Sequence, residues 1–527
     1  MAKGYLALLL HAHLPYVRHP EYQDALEERW FYDAITQCYL PLLFTMEEMA
    51  AAGIPFRFTM SLTPPLAAML EDPLLLARFA QRLQDLIELG GREIERTAHR
   101  PAEQKLARLY HAHLQRCREA FVNRYQADLR QAFFAWQAKG CIEIIASAAT
   151  HGYLPLLAIN PAAVQAQIKI GIDSYRRAAG VAPSGFWLPE CGYYPGVDEV
   201  LKAQGIRYTC CETHGITRAT PRPPHGVYTP VTCPSGLAVF GRDQESSRQV
   251  WSSVEGYPGD QAYREYYRDI GHELDLEYLR PYIHRDGIRV DTGFKYYRIT
   301  GRSGRKELYD PEKAEARAEQ HAADFLRKKE NQTNVLRTLM ARKPIIVAPY
   351  DAELFGHWWH EGPRWLKYLF TELAQRPDTV RATTLGAYLD EYPDNPPATP
   401  CASSWGKNGF NETWLNPKND WIYPLLHRAA ADLGELIRQF PRPQPLFDRA
   451  LQQAARELLL AQASDWAFMI HAGTTAAYAE QRLQKHLARF AQLTAMIGER
   501  TIDPARLTEF EAHDPIFPDL DYRAFGG

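Results

Sequence analysis

No apolar run in this 527-residue chain approaches the roughly 20 residues that a membrane-spanning helix needs. The N-terminal stretch "MAKGYLALLLHAHLP" has an apolar run of about six residues that ends in histidines, too short for a secretory core, and no small-residue cleavage site follows. A cytoplasmic location is therefore expected. No excess of either charge is present: 60 Lys and Arg stand against 63 Asp and Glu, a formal net charge of −3. That balance excludes a protein that tracks a phosphate backbone. Cysteine is sparse, with eight residues, and no C-x-x-C occurs. Zinc ribbons and thioredoxin-like sites are thereby excluded, and free buried thiols are expected. Internal repeats and low-complexity tracts are absent.

Aromatic residues, by contrast, are plentiful. They form 12% of the chain and include 11 Trp and 29 Tyr. Ten of them fall between Trp251 and Tyr297, interleaved with Gly, Asp and Arg and without clean periodicity. A long, irregular, aromatic segment has the character of a functional loop.

Seven short apolar runs alternate with helical patterns: "YLALLLHAHLP", "PFRFTMSLTPP", "CIEIIASAATHGYLP", "GFWLPECGYYP", "IRYTCCETHG", "LAVFGRD" and "KPIIVAPYDAELFGHWW". Near-continuous apolar runs indicate strands buried on both faces, as in a parallel sheet, and strand–helix alternation indicates βα units. Seven such units suit a closed or nearly closed barrel. Each run ends in polar residues: His11 and His13, Ser61 and Thr63, His151, Glu190, Glu212 and His214, Arg242 and Asp243, Asp351 and Glu353. Barrel enzymes take their reactive groups from the C-terminal ends of several strands. A doubly wound open sheet is the alternative, but it concentrates its site at one switch point. Residues 66–139 read as a helical insert and 213–305 as the aromatic loop region. The proline-rich "EYPDNPPATP" marks a boundary near 395, after which 396–527 read as an all-helical domain contributing to the cleft.

Glu190 is out of place for a surface glutamate. It closes an apolar run and is followed by Cys191, Gly192 and two tyrosines. Asp351 ends another apolar run on a separate strand. Two such carboxylates brought together by a barrel can flank one bond, and at about 5–5.5 Å they give retaining glycoside chemistry. A hydrogen-bonded structural glutamate is the alternative for Glu190 taken alone. Aromatic surroundings suit a sugar, whose C–H faces stack on rings. His11 and His13, at i and i+2, share one strand face. H-x-H is also a metal-ligand spacing, which His151 and Asp351 could complete. A metal-dependent deacetylase or amidohydrolase is thus a rival class, and a non-catalytic glucan-binding protein a third.

In chain order, the motifs resemble glycoside hydrolase family 57, and in particular its branching-type members. The matching stretches are "HAHLP" with His11 and His13, "ATHGYLP" with His151, "WLPECGY" with Glu190, "APYDAELFGHWW" with Asp351 and Trp358, and "SDWAFMI" with Asp465 and Trp466. The resemblance implies a (β/α)7 barrel with the helical insert and helical C-terminal domain, and a retaining enzyme that uses Glu190 as nucleophile and Asp351 as acid/base. It would cleave α-1,4 bonds of amylose or glycogen and rejoin the chain by an α-1,6 bond, with some hydrolysis. It implies no metal and no cofactor, with the histidines and Asp465 hydrogen-bonding the sugar. "SSWGKNGFNETWLNP" resembles the branching-type linker, whose tryptophans, here Trp405 and Trp414, line acceptor subsites. "YREYYRDIG" and "DTGFKYYRITG" resemble the same subgroup and supply Arg268 and Gly293 as binding candidates. Branching members carry a tyrosine on a loop over the cleft; the comparable loop here offers Trp251 and Tyr257. An α-amylase or 4-α-glucanotransferase would use the same carboxylates. The expected partner is an α-glucan polysaccharide, with no nucleic acid and no membrane, and the expected state a monomer.

Overall fold

A computed structural model describes residues 2–252, 255–301 and 305–526. Its centre is one sheet of nine strands: β1 (Gly4–Ala12), β2 (Phe58–Leu62), β3 (Ile142–Ser147), β4 (Gly185–Trp187), β5 (Tyr208–Cys211), β6 (Val231–Thr232), β7 (Ala238–Gly241), β8 (Ile345–Asp351) and β9 (Val380–Ala382). Seven run parallel in the order β7-β5-β4-β3-β2-β1-β8. The short β6 is antiparallel to β7, and β9 pairs with the start of β1. The sheet curls until its ends meet. Asp243 N, just past β7, donates to Val347 O of β8 at 2.8 Å, and Tyr350 Oη donates to Ser246 O at 2.8 Å. The seven parallel strands therefore form the expected (β/α)7 barrel, joined along one seam by isolated bonds in place of a ladder.

Alternation along β1 explains what reaches the mouth. Tyr5, Ala7 and Leu9 pack inside the barrel with Val347, Trp187 and Phe240. Leu6, Leu8 and Leu10 pack outward against the helices. The period of two then puts His11 and His13 on the inner face. In β8, Ile345 and Val347 are interior, and the same parity carries Asp351 inward. The β1–β8 register pairs His11 with Asp351 directly. Burial of both strand faces is why the sequence reads LALLL with little alternation; each fully buried leucine contributes about 1.5–3 kcal/mol.

Between β2 and β3 lie the helices Pro73–Arg96, Pro101–Glu119 and Leu129–Ala138. The first is fixed by Pro73 in its first turn and by the Asp72 carboxylate, which accepts from Leu75 N. After β9 and the helix Leu385–Glu391 no further strand follows among the described residues. Instead come Ile422–Gln439, Pro445–Ala461, Ser464–Ala472, Ala476–Gly498 and Pro504–His513. The start of Ser464–Ala472 reaches the barrel mouth, where Ser464 N donates to His151 O at 3.0 Å. The cysteines are all free, and most are buried. No helix among the described residues is long and apolar enough to cross a membrane.

Candidate active site

The C-terminal ends of the strands open into a cavity of about 580 Å³. Nine of the eleven residues singled out from sequence line it or its rim: His11, His13, His151, Glu190, Asp351, Trp358, Trp405, Trp414 and Asp465. Arg268 and Gly293 do not. Arg268 pairs with Glu273 and lies 5.0 Å from the Tyr297 ring centre, and Gly293 N donates to Asp269 Oδ2 at 2.9 Å. The aromatic loop segment that carries both folds on itself instead of entering the cavity.

Glu190 sits in a tight turn after β4 with φ 60° and ψ 23°, and its neighbour Cys191 has φ 54°. His151 has φ 58°. Left-handed backbone at non-glycine residues costs of order 1–3 kcal/mol and collects where function requires it. The turn aims the Glu190 carboxylate at two donors. Trp405 Nε1 donates to Oε2 at 2.9 Å, and Ser464 Oγ donates to Oε1 at 2.8 Å. Burial pushes this carboxyl up to about 7, against the lowering effect of the two hydrogen bonds. Asp351 is pushed up to about 6 by burial, with the Arg242 and His13 charges opposing. Its carboxylate accepts no hydrogen bond from the protein among the described residues. Two donors thus favour an ionised Glu190, while only the Arg242 and His13 charges, without a hydrogen bond, favour an ionised Asp351.

A hydrogen-bonded chain runs on from Glu190. If its carboxylate is ionised, Ser464 spends its proton on Oε1 and must accept from His151 Nδ1–H, at 2.9 Å. His151 Nε2 then accepts from His11 Nε2–H at 3.1 Å, and His11 Nδ1 accepts from the Ser61 hydroxyl at 2.6 Å. Both imidazoles are held neutral: burial and the neighbouring histidine charges lower them well below the usual range. His13 differs. Burial would lower it, but Asp465, at 3.1 Å from Nε2, with Glu190 and Glu353, raises it. Its Nδ1 meets Thr63 Oγ1 at 2.9 Å. All six ring nitrogens of the three histidines thus have protein partners.

Potential ligand atoms of His13, His151 and Asp465 lie within 4.8 Å of one another, so this group, without Asp351, is the one a metal would use. A metal would have to displace the His13–Asp465 bonds and the His151 bonds to His11 or Ser464. Activity on amylose should therefore survive exhaustive chelation. Loss of turnover on chelation, restored by one equivalent of zinc, would assign the cluster to a metal.

The aromatic walls are unequal. Trp358 is 53% exposed and is backed by Tyr266, whose ring stacks at 4.6 Å. Trp251 and Phe468 are also exposed. Trp414 is 1% exposed and stacked at 4.3 Å on Tyr153, and so lacks the open ring face expected of a platform. Of the two loop aromatics, Trp251 lines the cavity, whereas buried Tyr257 is tied by its hydroxyl to Asp324 at 2.9 Å. Residues 253–254 of that loop lie outside the described residues. Sequence reading passed over Ser464, beside the chosen Asp465, and left Glu353 and Arg242 without roles. Glu353 accepts from Tyr39 Oη at 2.6 Å and His13 N at 3.1 Å, and burial pushes it up to about 7. Arg242 pairs with Glu212 at 3.0 Å and lies 5.7 Å from the centre of the Trp405 ring.

Burial raises Glu190 to about 7 and Asp351 to about 6, so the working form, ionised Glu190 beside protonated Asp351, is the minor of the two singly protonated arrangements. Trp405→Phe removes a donor that lowers Glu190. The proton then stays longer on Glu190, so the alkaline limb of kcat/KM should move up while its maximum falls. A limb that moves toward acid would contradict the role of this bond.

A parallel barrel with two half-buried carboxyls on an aromatic-walled mouth has the character of a glycoside-active enzyme. The model of glycosyl hydrolase family 57 matches residues 7–396, and that of the 1,4-alpha-glucan branching enzyme C-terminal region matches residues 425–525. The chain belongs to glycoside hydrolase family 57. It is 33% identical to a 1,4-alpha-glucan branching enzyme of Thermococcus kodakarensis, over 98% of this chain and 77% of that protein. A solved alpha-amylase of Thermotoga maritima shares 41% identity and a TM-score of 0.94, with 100% of this chain and 99% of that one covered. A branching enzyme of Pyrococcus horikoshii shares 31% and a TM-score of 0.90, over 100% and 97%.

Proposed function

We propose that the protein is a 1,4-α-glucan branching enzyme, in which Glu190 attacks the anomeric carbon of an α-1,4-linked glucan. Asp351 gives its proton to the departing 4-oxygen, and a covalent glucosyl–enzyme forms. Asp351, now ionised, takes the proton of an incoming 6-hydroxyl, whose oxygen displaces Glu190 and restores the α configuration. The observation that carries this reading is the asymmetry of the pair: Glu190 has two fixed donors and Asp351 none. His13 and Asp465 then bind sugar hydroxyls beside the reacting bond, Trp358 stacks on the glucan, and Trp405 and Trp414 bound the acceptor side.

The match of the C-terminal region to the branching-enzyme model and the branching-enzyme relatives support transfer to a 6-hydroxyl. We place the reaction in glycogen synthesis in the cytoplasm, carried out by a monomer divided into a barrel at 1–395 and a helical domain at 396–527. Hydrolysis is the second reading, favoured by the likeness to the Thermotoga alpha-amylase and by Trp251, not a tyrosine, at the cavity. The deciding experiment treats amylose with the enzyme and counts reducing ends before and after a debranching digest. Additional chains released by debranching are expected. If none appear while reducing ends have risen, the enzyme is an amylase with the same two acids.

A further inference from the structure

A second cavity, of about 550 Å³, lies between the insert helix Pro101–Glu119 and the loop region that carries Arg264 and Gly293. It shares no lining residue with the catalytic cavity. Its size falls within the range of about 300–1,000 Å³ typical of small-molecule sites.

Three polar side chains line it: those of Asp33 and His360 have no protein hydrogen bond among the described residues, and that of Arg264 has the Tyr110 hydroxyl alone. Arg264 is 7% exposed, and no carboxylate comes within ion-pair distance of its guanidinium. The Tyr110 ring, with its centre 5.9 Å away, and the Tyr110 hydroxyl are its neighbours. Asp33 is pushed up to about 7 by burial. His360 is held neutral by burial and by the Arg264 charge. A buried guanidinium is nearly always fully paired, and it carries five N–H donors, more than the Tyr110 hydroxyl can take. Around this trio stand the rings of Tyr110, Phe294 and Phe44.

We propose that this cavity is a second, non-catalytic sugar site that holds a hexose unit of an α-glucan, with Arg264, Asp33 and His360 taking its hydroxyls and the apolar wall of Phe44, Tyr110 and Phe294 meeting its C–H groups. Planar polar groups beside an apolar wall are what a neutral polyol requires. An anion is disfavoured because Glu48 and Glu315 already neutralise Arg116 and Arg364 and the carboxyl of Asp33 shares the cavity with Arg264. The site also has a route to the catalytic cleft. His360 lines it, and Trp358, two residues earlier, lines the catalytic cavity. Gln37, on the wall of the second cavity, meets His357 Nδ1 through Oε1 at 3.2 Å, and Gly356 (φ +114°) lies so close that an added Cβ would fall 1.8 Å from Gln37 O. A chain end held here sits behind the wall on which the reacting chain stacks. Only the identity of the sugar rests on the α-glucan reading.

The test is calorimetric titration of maltotriose into the full-length Glu190→Gln protein, which cannot turn it over. Two binding sites are expected. Leu109→Trp, at the cavity's mouth, and His360→Ala, inside it, should each remove one site while leaving the melting temperature in place. In the otherwise wild-type enzyme, both should raise KM for amylose at least threefold with kcat unchanged. Trp358→Ala should weaken the other site only. A single site lost in Leu109→Trp and kept in Trp358→Ala would support the second cavity and count against glucan binding in the catalytic cleft. A single site lost in Trp358→Ala alone, or two sites indifferent to both second-cavity variants, would overturn the proposal. Should His360→Ala fail to fold, Leu109→Trp and a crystal soaked in maltotriose decide the question, with no sugar density at Arg264 counting against it.

Discussion

Replacing Glu190 by glutamine should lower turnover of amylose by about 10⁴-fold or more, equivalent to about 5.5 kcal/mol of barrier, without unfolding the protein. The site is built to accept the amide. Trp405 Nε1 can only donate, so it holds the amide oxygen at the place of Oε2. The amide NH2 then faces Ser464 Oγ, which can accept from it by turning its own proton toward His151 Nδ1. His151 and His11 shift tautomer in concert, and Ser61 ends the chain as an acceptor. Geometry is kept, so the loss reports chemistry: an amide has no anionic oxygen to attack the anomeric carbon. Initial rates on amylose, with a thermal melt as control, check both halves. Residual activity above about a tenth of wild type would remove Glu190 from the nucleophile's role.

The second large effect concerns Asp351. Asp351→Asn should reduce turnover of amylose by about 10³-fold, because a sugar 4-oxygen leaves poorly without a proton. With α-maltosyl fluoride, whose fluoride leaves without one, the first-turnover burst of fluoride should slow less than about tenfold in the same variant, while steady turnover stays low because the second step lacks its base. Position and protonation both support this difference. The β1–β8 register fixes Asp351 beside His11 on the inner face, and burial keeps its carboxyl near 6, within reach of the proton it must donate. Asparagine occupies the same space and breaks no protein hydrogen bond, since Asp351 accepts none among the described residues. A fluoride burst slowed as much as amylose turnover would mean that Asp351 positions the sugar or the nucleophile and does not act as the acid.

The barrel was legible because its strands are buried on both faces, which writes long apolar runs such as LALLL and IIVA into the sequence. The site positions followed from the polar residues that end those runs, and the parity of His11 and His13 is a matter of strand geometry alone. Contacts between distant segments were not legible. Ser464 lies 274 positions from Glu190 and meets it only because a helix of the C-terminal region docks on the barrel mouth. In sequence it is one more serine before a helix. Arg268 and Gly293 failed to reach the cavity for a related reason: their segment is irregular, and Asp269, which gathers Gly271 N, Thr292 N and Gly293 N, folds it on itself. Trp414 was placed correctly at the cavity, but its burial behind Tyr153 is set by packing that no local pattern records.

The central claim is that a sugar becomes covalently attached to Glu190, and trapping tests it most directly. A fluorinated α-glucosyl fluoride forms such an intermediate quickly and releases it slowly. After incubation with the wild-type protein and proteolysis, mass spectrometry should find one added sugar on the peptide containing "FWLPECGYYPG", on Glu190, and no such label in Glu190→Gln. A label on another residue, or full inactivation of turnover with no covalent sugar anywhere on the chain, would contradict the account.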